Sequence, residues 1–210
     1  MESLHVSPEN DIFEQIRLFL PKYLTEEQTR LLFSELAKFP DNLDFYTQRP
    51  DLQEQLLQGD GWRGFVVIDF ATGDRKEVSG MILSNSCDVN PENQRDLHVN
   101  VLFAPLIQLS RYVEILRRAG KTEEQIESQI RNIKKQYVTS IFYVPRCSGS
   151  IEESIILLDD LHAHPLQDFL ERERRSLFTL NQYAFYILLL KLSIHFSRFR
   201  EGIHRFDNAA

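Results

Sequence analysis

The spacing of apolar residues changes at "QGDGWRG", residues 58–64, and that change limits the folds open to the chain. Before it, apolar residues recur at helical spacing. After it they alternate or form short continuous runs, as strands require. Glycines at 59, 61 and 64 mark the turn between the two regimes. The expectation is an α+β protein with a helical N-terminal region over 1–58 and a strand-rich unit over 59–210.

In the first region, "TEEQTRLLFSELAKF" opens on Thr25 with Gln28 three residues later, the reciprocal spacing of a capping box. Leu32, Leu36 and Phe39 share one face, and Pro40 ends the helix. Ahead of it, Phe13, Ile16, Phe19 and Leu20 form a similar stripe that stops at Pro21. In the second region the candidate strands are "FVVIDF" (65–70), "VSGMILS" (78–84), "LHVNVLFAPLI" (97–107), "VTSIFYVP" (138–145) and "ESIILLDD" (153–160). In the third, Leu97, Val99, Val101 and Phe103 alternate with His98 and Asn100, which puts one face in the core. A helical insertion over 108–136 separates the third strand from the fourth. Its second helix starts with Thr122 and Gln125 at capping-box spacing and carries Ile126, Ile130 and Ile133 as its stripe. A long apolar C-terminal helix is expected over about 176–200.

The greasiest run, Tyr183 to Phe196, is shorter than a bilayer span and contains Lys191 and His195, so it reads as a buried helix and no membrane contact is expected. Two cysteines, Cys87 and Cys147, exclude a disulfide-stapled scaffold. The first residues, "MESLHVSPENDIFEQ", carry no basic segment leading into an apolar core, so a cytoplasmic location is expected. Net charge is −7, but residues 1–105 hold 9 basic and 18 acidic side chains against 15 and 13 in residues 106–210. That balance argues against a general nucleic-acid coat and leaves room for a local basic groove in the second half. P-loop, dinucleotide, nucleophile-elbow and zincin motifs are absent from the sequence, and no cofactor is expected.

Three candidate sites stand out. Cys87 and Asp88, in "LSNSCD", have His98 as a sequence-distant base, yet the same small residues serve a turn equally well. Asp159, Asp160, His162 and His164 offer oxygen and nitrogen donors within "LDDLHAHPL", weak candidates for a divalent metal at no recognised ligand spacing. Arg172, Arg174 and Arg175, with Arg198, Arg200 and Arg205, supply an anion-binding surface beside Phe178 and Tyr183 if the segments adjoin. The alternation of Glu171, Arg172, Glu173 and Arg174 also fits a solvated helix with internal ion pairs.

"RGFVVIDF", "MILSNS" and "VNVLFAPL", within residues 59–107, resemble the first three strands of PemK/MazF-like SH3-type barrels. The resemblance implies a small, mostly antiparallel SH3-like β-barrel and an endoribonuclease activity. Those ribonucleases rely on an arginine-proline pair opening the second strand and on a downstream hydroxyl. Here "VSG" (78–80) has no arginine, so Arg63 or Arg75, with Ser84 or Ser86, would have to handle phosphate. The "LSNSCD" element and the late apolar helix are also similar to bacterial proteins that carry a strand ending in Ser-x-x-Cys-Asp, to which no activity attaches. The leading expectation is a non-catalytic interaction module that binds protein, or nucleic acid, in a bacterial toxin-related or antiphage system. Its apolar helices imply a protein partner or a second copy. The alternatives are an altered ribonuclease and a Cys- or metal-dependent hydrolase centred on Cys87.

Overall fold

The computed structural model describes residues 44–93 and 96–197, with positions 25–27, 30, 31, 34, 38 and 41 before them. The stripes through Phe13 and Leu32, the partner Gln28 of the first capping box, and Arg198, Arg200 and Arg205 lie outside the described residues.

A one-turn helix α1 (Pro50–Gln53) leads into β1 (Gly61–Ile68) and β2 (Arg75–Ile82), which form an antiparallel hairpin closed by the turn at 69–74. In that turn Asp69 Oδ1 accepts from the Ala71 amide at 2.8 Å, the side-chain mimic of a turn bond that aspartate supplies. Next come β3 (Asn100–Pro105), β4 (Ile107–Gln108), α2 (Leu109–Arg118), α3 (Glu123–Lys134), β5 (Ile141–Val144) and β6 (Ser154–Leu157). The chain closes with β7 (His162–Pro165), α4 (Leu166–Glu171), β8 (Arg175–Phe178) and α5 (Gln182–Ser197). The protein is therefore α+β, with antiparallel sheets ordered β7-β3-β2-β1-β8 and β4-β6-β5.

Neither sheet closes on itself through a strand ladder among the described residues, but the larger one curls strongly. Phe65 on β1 stacks on Phe103 of β3 with ring centroids 4.1 Å apart, although β2 runs between those strands. Next-but-one strands in a flat sheet lie about 9.6 Å apart, so the two rings lean together across the intervening strand. Gly80 of β2 permits this: a Cβ there would sit 2.7 Å from the Phe103 ring and 3.0 Å from that of Phe65. Phe169 of α4 stacks on Phe65 from the other side at 4.4 Å, and Trp62, Ile82, Val89 and Val101 complete the cluster inside the curl.

The curl brings β7 within side-chain reach of β1. β8 pairs with β1 only over Gly61 to Arg63, and then β1 bulges at Gly64, where φ is +111° and an added Cβ would lie 2.9 Å from the Glu173 carbonyl oxygen, so no side chain is admitted. Beyond the bulge, the Val66 amide donates to Nδ1 of His164 on β7 at 3.3 Å. His164 Nε2 then donates to Asp168 at 2.5 Å, and Arg172 clasps the same carboxylate at 2.6 Å. The imidazole is thus a neutral Nε2–H tautomer that fills the gap where a ladder bond is missing.

The outer face of the large sheet packs with the small sheet and α5 through Met81, Ala104, Phe142, Val144, Ile156, Phe178 and Leu188. The other face of the small sheet takes Ile141, Tyr143 and Ile155 under α2 and α3, so β5 alternates between two cores as a strand must. α3 starts at Thr122 with both bonds of the expected capping box formed. α5 starts at Gln182 because Asn181 caps it, its side chain accepting from the Ala184 amide at 2.9 Å. The segment from 176 is therefore strand β8 rather than helix. Leu97 is exposed and β3 begins only at Asn100, where the buried alternation of Val101 and Phe103 takes hold. Ile107 leaves the large sheet for the small one, so the expected long third strand is two strands.

The apolar residues of α5 are largely spent on the chain's own core, which removes that helix as an argument for a partner. None of the described helices is long and apolar enough to cross a membrane.

Candidate functional site

Between the two sheets lies a cleft of about 1100 Å³. One wall is the outer face of β8, β1 and β2, where Arg175, Arg63 and Ser79 stand in register across three strands. Residues directly opposite on antiparallel strands share a face, so two arginines are set side by side, an arrangement that costs energy without an anion between them. Arg63 turns to Glu77 at 3.0 Å. Lys76 extends this wall, and Arg111 of α2 and Arg146 of the loop after β5 face it from the small-sheet side.

The acidic residues of the cleft are engaged. Asp69 and Asp74 hold the hairpin turn, Glu152 pairs with Arg146 at 3.2 Å, and Asp160 meets His162 Nε2 at 3.0 Å. Among the described residues, Arg111, Arg175 and Lys76 have no carboxylate partner. Leu106, Ile107, Ile115 and Leu177 give the cleft apolar lining, joined at its edge by Val67 and Val78, which also pack against the cluster inside the curl. Among the described residues the only aromatic ring in the lining is the His162 imidazole, stacked over Phe103 at 5.6 Å.

The residues singled out in the sequence divide on either side of this cleft. Arg63, Arg175, Asp160 and His162 line it. Arg75 opens β2, exposed and outside the lining. His164 faces the interior instead, buried to 3% exposure with both nitrogens used, and Asp159 is exposed. Among the described residues no three His, Cys, Asp or Glu side chains are grouped to hold a metal ion. Arg172 is occupied by Asp168 and Arg174 by the Leu170 carbonyl, and the helix ends at Glu171, so the alternating Glu171, Arg172, Glu173 and Arg174 run past the end of α4 instead of forming a helix of their own.

The Cys87–Asp88 element is a turn. Asn85 Oδ1 accepts from the Cys87 amide at 2.9 Å, the Asn85 carbonyl from the Asp88 amide at 3.0 Å, and the Cys87 carbonyl from Asn93. Cys87 and His98 are both exposed, and His98 precedes β3 instead of standing on it. Ser84 accepts from the Leu102 amide at 2.7 Å and Ser86 from the Gln58 amide at 2.9 Å. Both hydroxyls therefore tie backbone segments together.

Two buried ionisable groups lie outside the cleft and carry no sequence signal beyond their polar type. Asp60, 1% exposed at the start of β1, accepts from Thr179 at 3.2 Å, and burial pushes its carboxyl up to about 8. Lys191 of α5, 6% exposed, donates to the carbonyls of Gln136 at 3.1 Å, Val138 at 2.8 Å and Ile141, and burial lowers its ammonium to about 7. Arg111, Arg146 and Lys76 were equally silent in the sequence, as solitary cations on separate elements. No protein-family model matches this chain, and no curated protein matches it either.

Proposed function

We propose that the protein is a non-catalytic interaction module whose binding surface is the cleft between the two sheets. The observation that carries this reading is Arg175, set beside Arg63 in register, together with Arg111 across the cleft: neither Arg175 nor Arg111 has a carboxylate partner among the described residues. Such a cleft attracts a negatively charged partner and offsets the cost of desolvating it with guanidinium contacts. The strand order supports an SH3-like barrel as the finer description: a β1-β2-β3 meander, a last strand returning to β1, and a curl across which His164 of β7 reaches Val66 of β1. With the resemblance of residues 59–107 to PemK/MazF-like barrels, this supports a place in a bacterial toxin-related or antiphage assembly. Arg63→Ala and Arg175→Ala are expected to weaken capture of an anionic ligand without unfolding the chain; unchanged affinity in both counts against the reading.

A second reading, an altered endoribonuclease, is favoured by one observation: Arg63 shares the cleft with the Asp160–His162 pair. A carboxylate-oriented imidazole is a competent general base, and a nearby guanidinium stabilises a phosphorane. Incubation with single-stranded RNA separates the two. Cleavage lost in His162→Ala and Arg63→Ala would establish the enzyme, and intact RNA under every metal condition would remove it.

A further inference from the structure

Resting on the binding reading above, we propose that the partner seated in the cleft is a protein segment, an extended peptide that alternates acidic and apolar side chains, and not a nucleic acid. Three observations lead there.

The first is the cleft's composition. Leu106, Ile107, Ile115 and Leu177 give the cleft apolar lining, while Arg111, Arg175 and Lys76 offer cations that have no carboxylate partner among the described residues. A sugar-phosphate strand uses cations but leaves an aliphatic floor uncovered, because bases stack on rings and the lining supplies no phenylalanine, tyrosine or tryptophan. Acidic residues alternating with leucine or isoleucine use both features at once.

The second is long-range charge. The chain carries −7, so a polyanion pays for approaching it and has only a few local cations to release counterions against. A short peptide gains part of its affinity from apolar burial, which that field leaves untouched.

The third is edge geometry. β4 and β8 are edge strands of their sheets and both line the cleft, each with one side that has no strand neighbour among the described residues. An extended chain is the form that pairs with such edges, and its side chains then alternate in direction, one set toward the floor and the other toward the arginines.

The test uses the full chain and fluorescence anisotropy with labelled probes: a short peptide of alternating aspartate and leucine, its lysine-leucine counterpart, an all-aspartate peptide, and oligouridylate of matched length. Tightest binding is expected for the aspartate-leucine peptide, weakened about fivefold or more in Arg175→Ala and in Arg111→Ala and unchanged in Arg131→Ala on the far face of the helical pair. Equal binding of the all-aspartate peptide would overturn the proposal, since the floor would then be unused. Tighter binding of oligouridylate, lost in Arg175→Ala, would overturn the peptide proposal while leaving the cleft as a binding site. Binding of no probe that responds to Arg111 or Arg175 would overturn both.

Discussion

Lys191 and Asp60 show how single buried ionisable groups couple this fold to pH. Lys191 enters the core from α5 and donates to the carbonyls of Gln136 and Val138 between α3 and β5 and of Ile141 at the start of β5, Val138 also accepting the Ile141 amide. Lys191→Met keeps the stem volume and removes this donor from those acceptors, so a loss of about 2–4 kcal/mol is expected by urea unfolding. Asp60 works in the opposite sense. In the folded chain it holds its proton up to about pH 8, whereas in the unfolded chain it loses it near the ordinary aspartate value of 3.8, so stability falls as pH rises across that window. Lys191 loses its proton near pH 7 when folded but keeps it to about 10.5 when unfolded, so its contribution rises with pH between those limits. Asp60→Asn is therefore predicted to gain about 1–3 kcal/mol on the wild type between about pH 5 and pH 8, read from urea midpoints at each pH. Parallel profiles for the two proteins would show that Asp60 does not titrate in this range.

At the scale of elements, the informative strands are those placed by distant neighbours. His164 bridges β7 to β1 by a single side-chain acceptor, so His164→Ala should speed hydrogen exchange at the Val66 amide far more than at Met81, which lies within the β1-β2-β3 ladders. β8 sets Arg175 opposite Arg63, and relieving that like-charge contact with Arg175→Thr is expected to raise stability by about 0.2–1 kcal/mol while weakening binding, a trade visible by comparing thermal melts with affinity. Strands β1, β2, β5 and β6 were legible in the sequence because their apolar alternation is a local property, and α3 because Thr122 and Gln125 sit at its start. "HAHP" and "RSLF" carry no such period; they are strands because β3 and β1 pair with them, and "ERERR" imitates a helix more strongly than it announces β8. The candidate site was legible in the same uneven way. Arg63, Arg175, Asp160 and His162 each attracted notice for a different chemistry, and nothing local indicates that one cleft collects them. The Ser84–Asp88 stretch looked reactive because small polar residues suit both chemistry and turns, and backbone hydrogen bonds take up its serines and asparagine.

The whole molecule joins a curled five-stranded sheet to a three-stranded one through a shared core, and the cleft is what remains open where the two diverge. Its location follows from topology: Ile107 crosses from one sheet to the other, α2 hangs Arg111 beside the crossing, and β8 returns Arg175 to the far wall. Phe70, 95% exposed at the β1–β2 turn, follows cleft residues Ile68 and Asp69 in the chain but is not itself part of the lining. Phe70→Ser should therefore leave both affinity for an aspartate-leucine peptide and thermal stability unchanged, since the ring contributes neither to the lining nor to the core. Amide chemical-shift mapping of the full chain on addition of that peptide addresses the cleft itself. Perturbations gathered at Ser79, Leu106, Ile107, Arg111, Arg175 and Leu177 are the predicted result; perturbations centred on the Cys87–Asp88 turn, or spread along the outer face of α3, would contradict it.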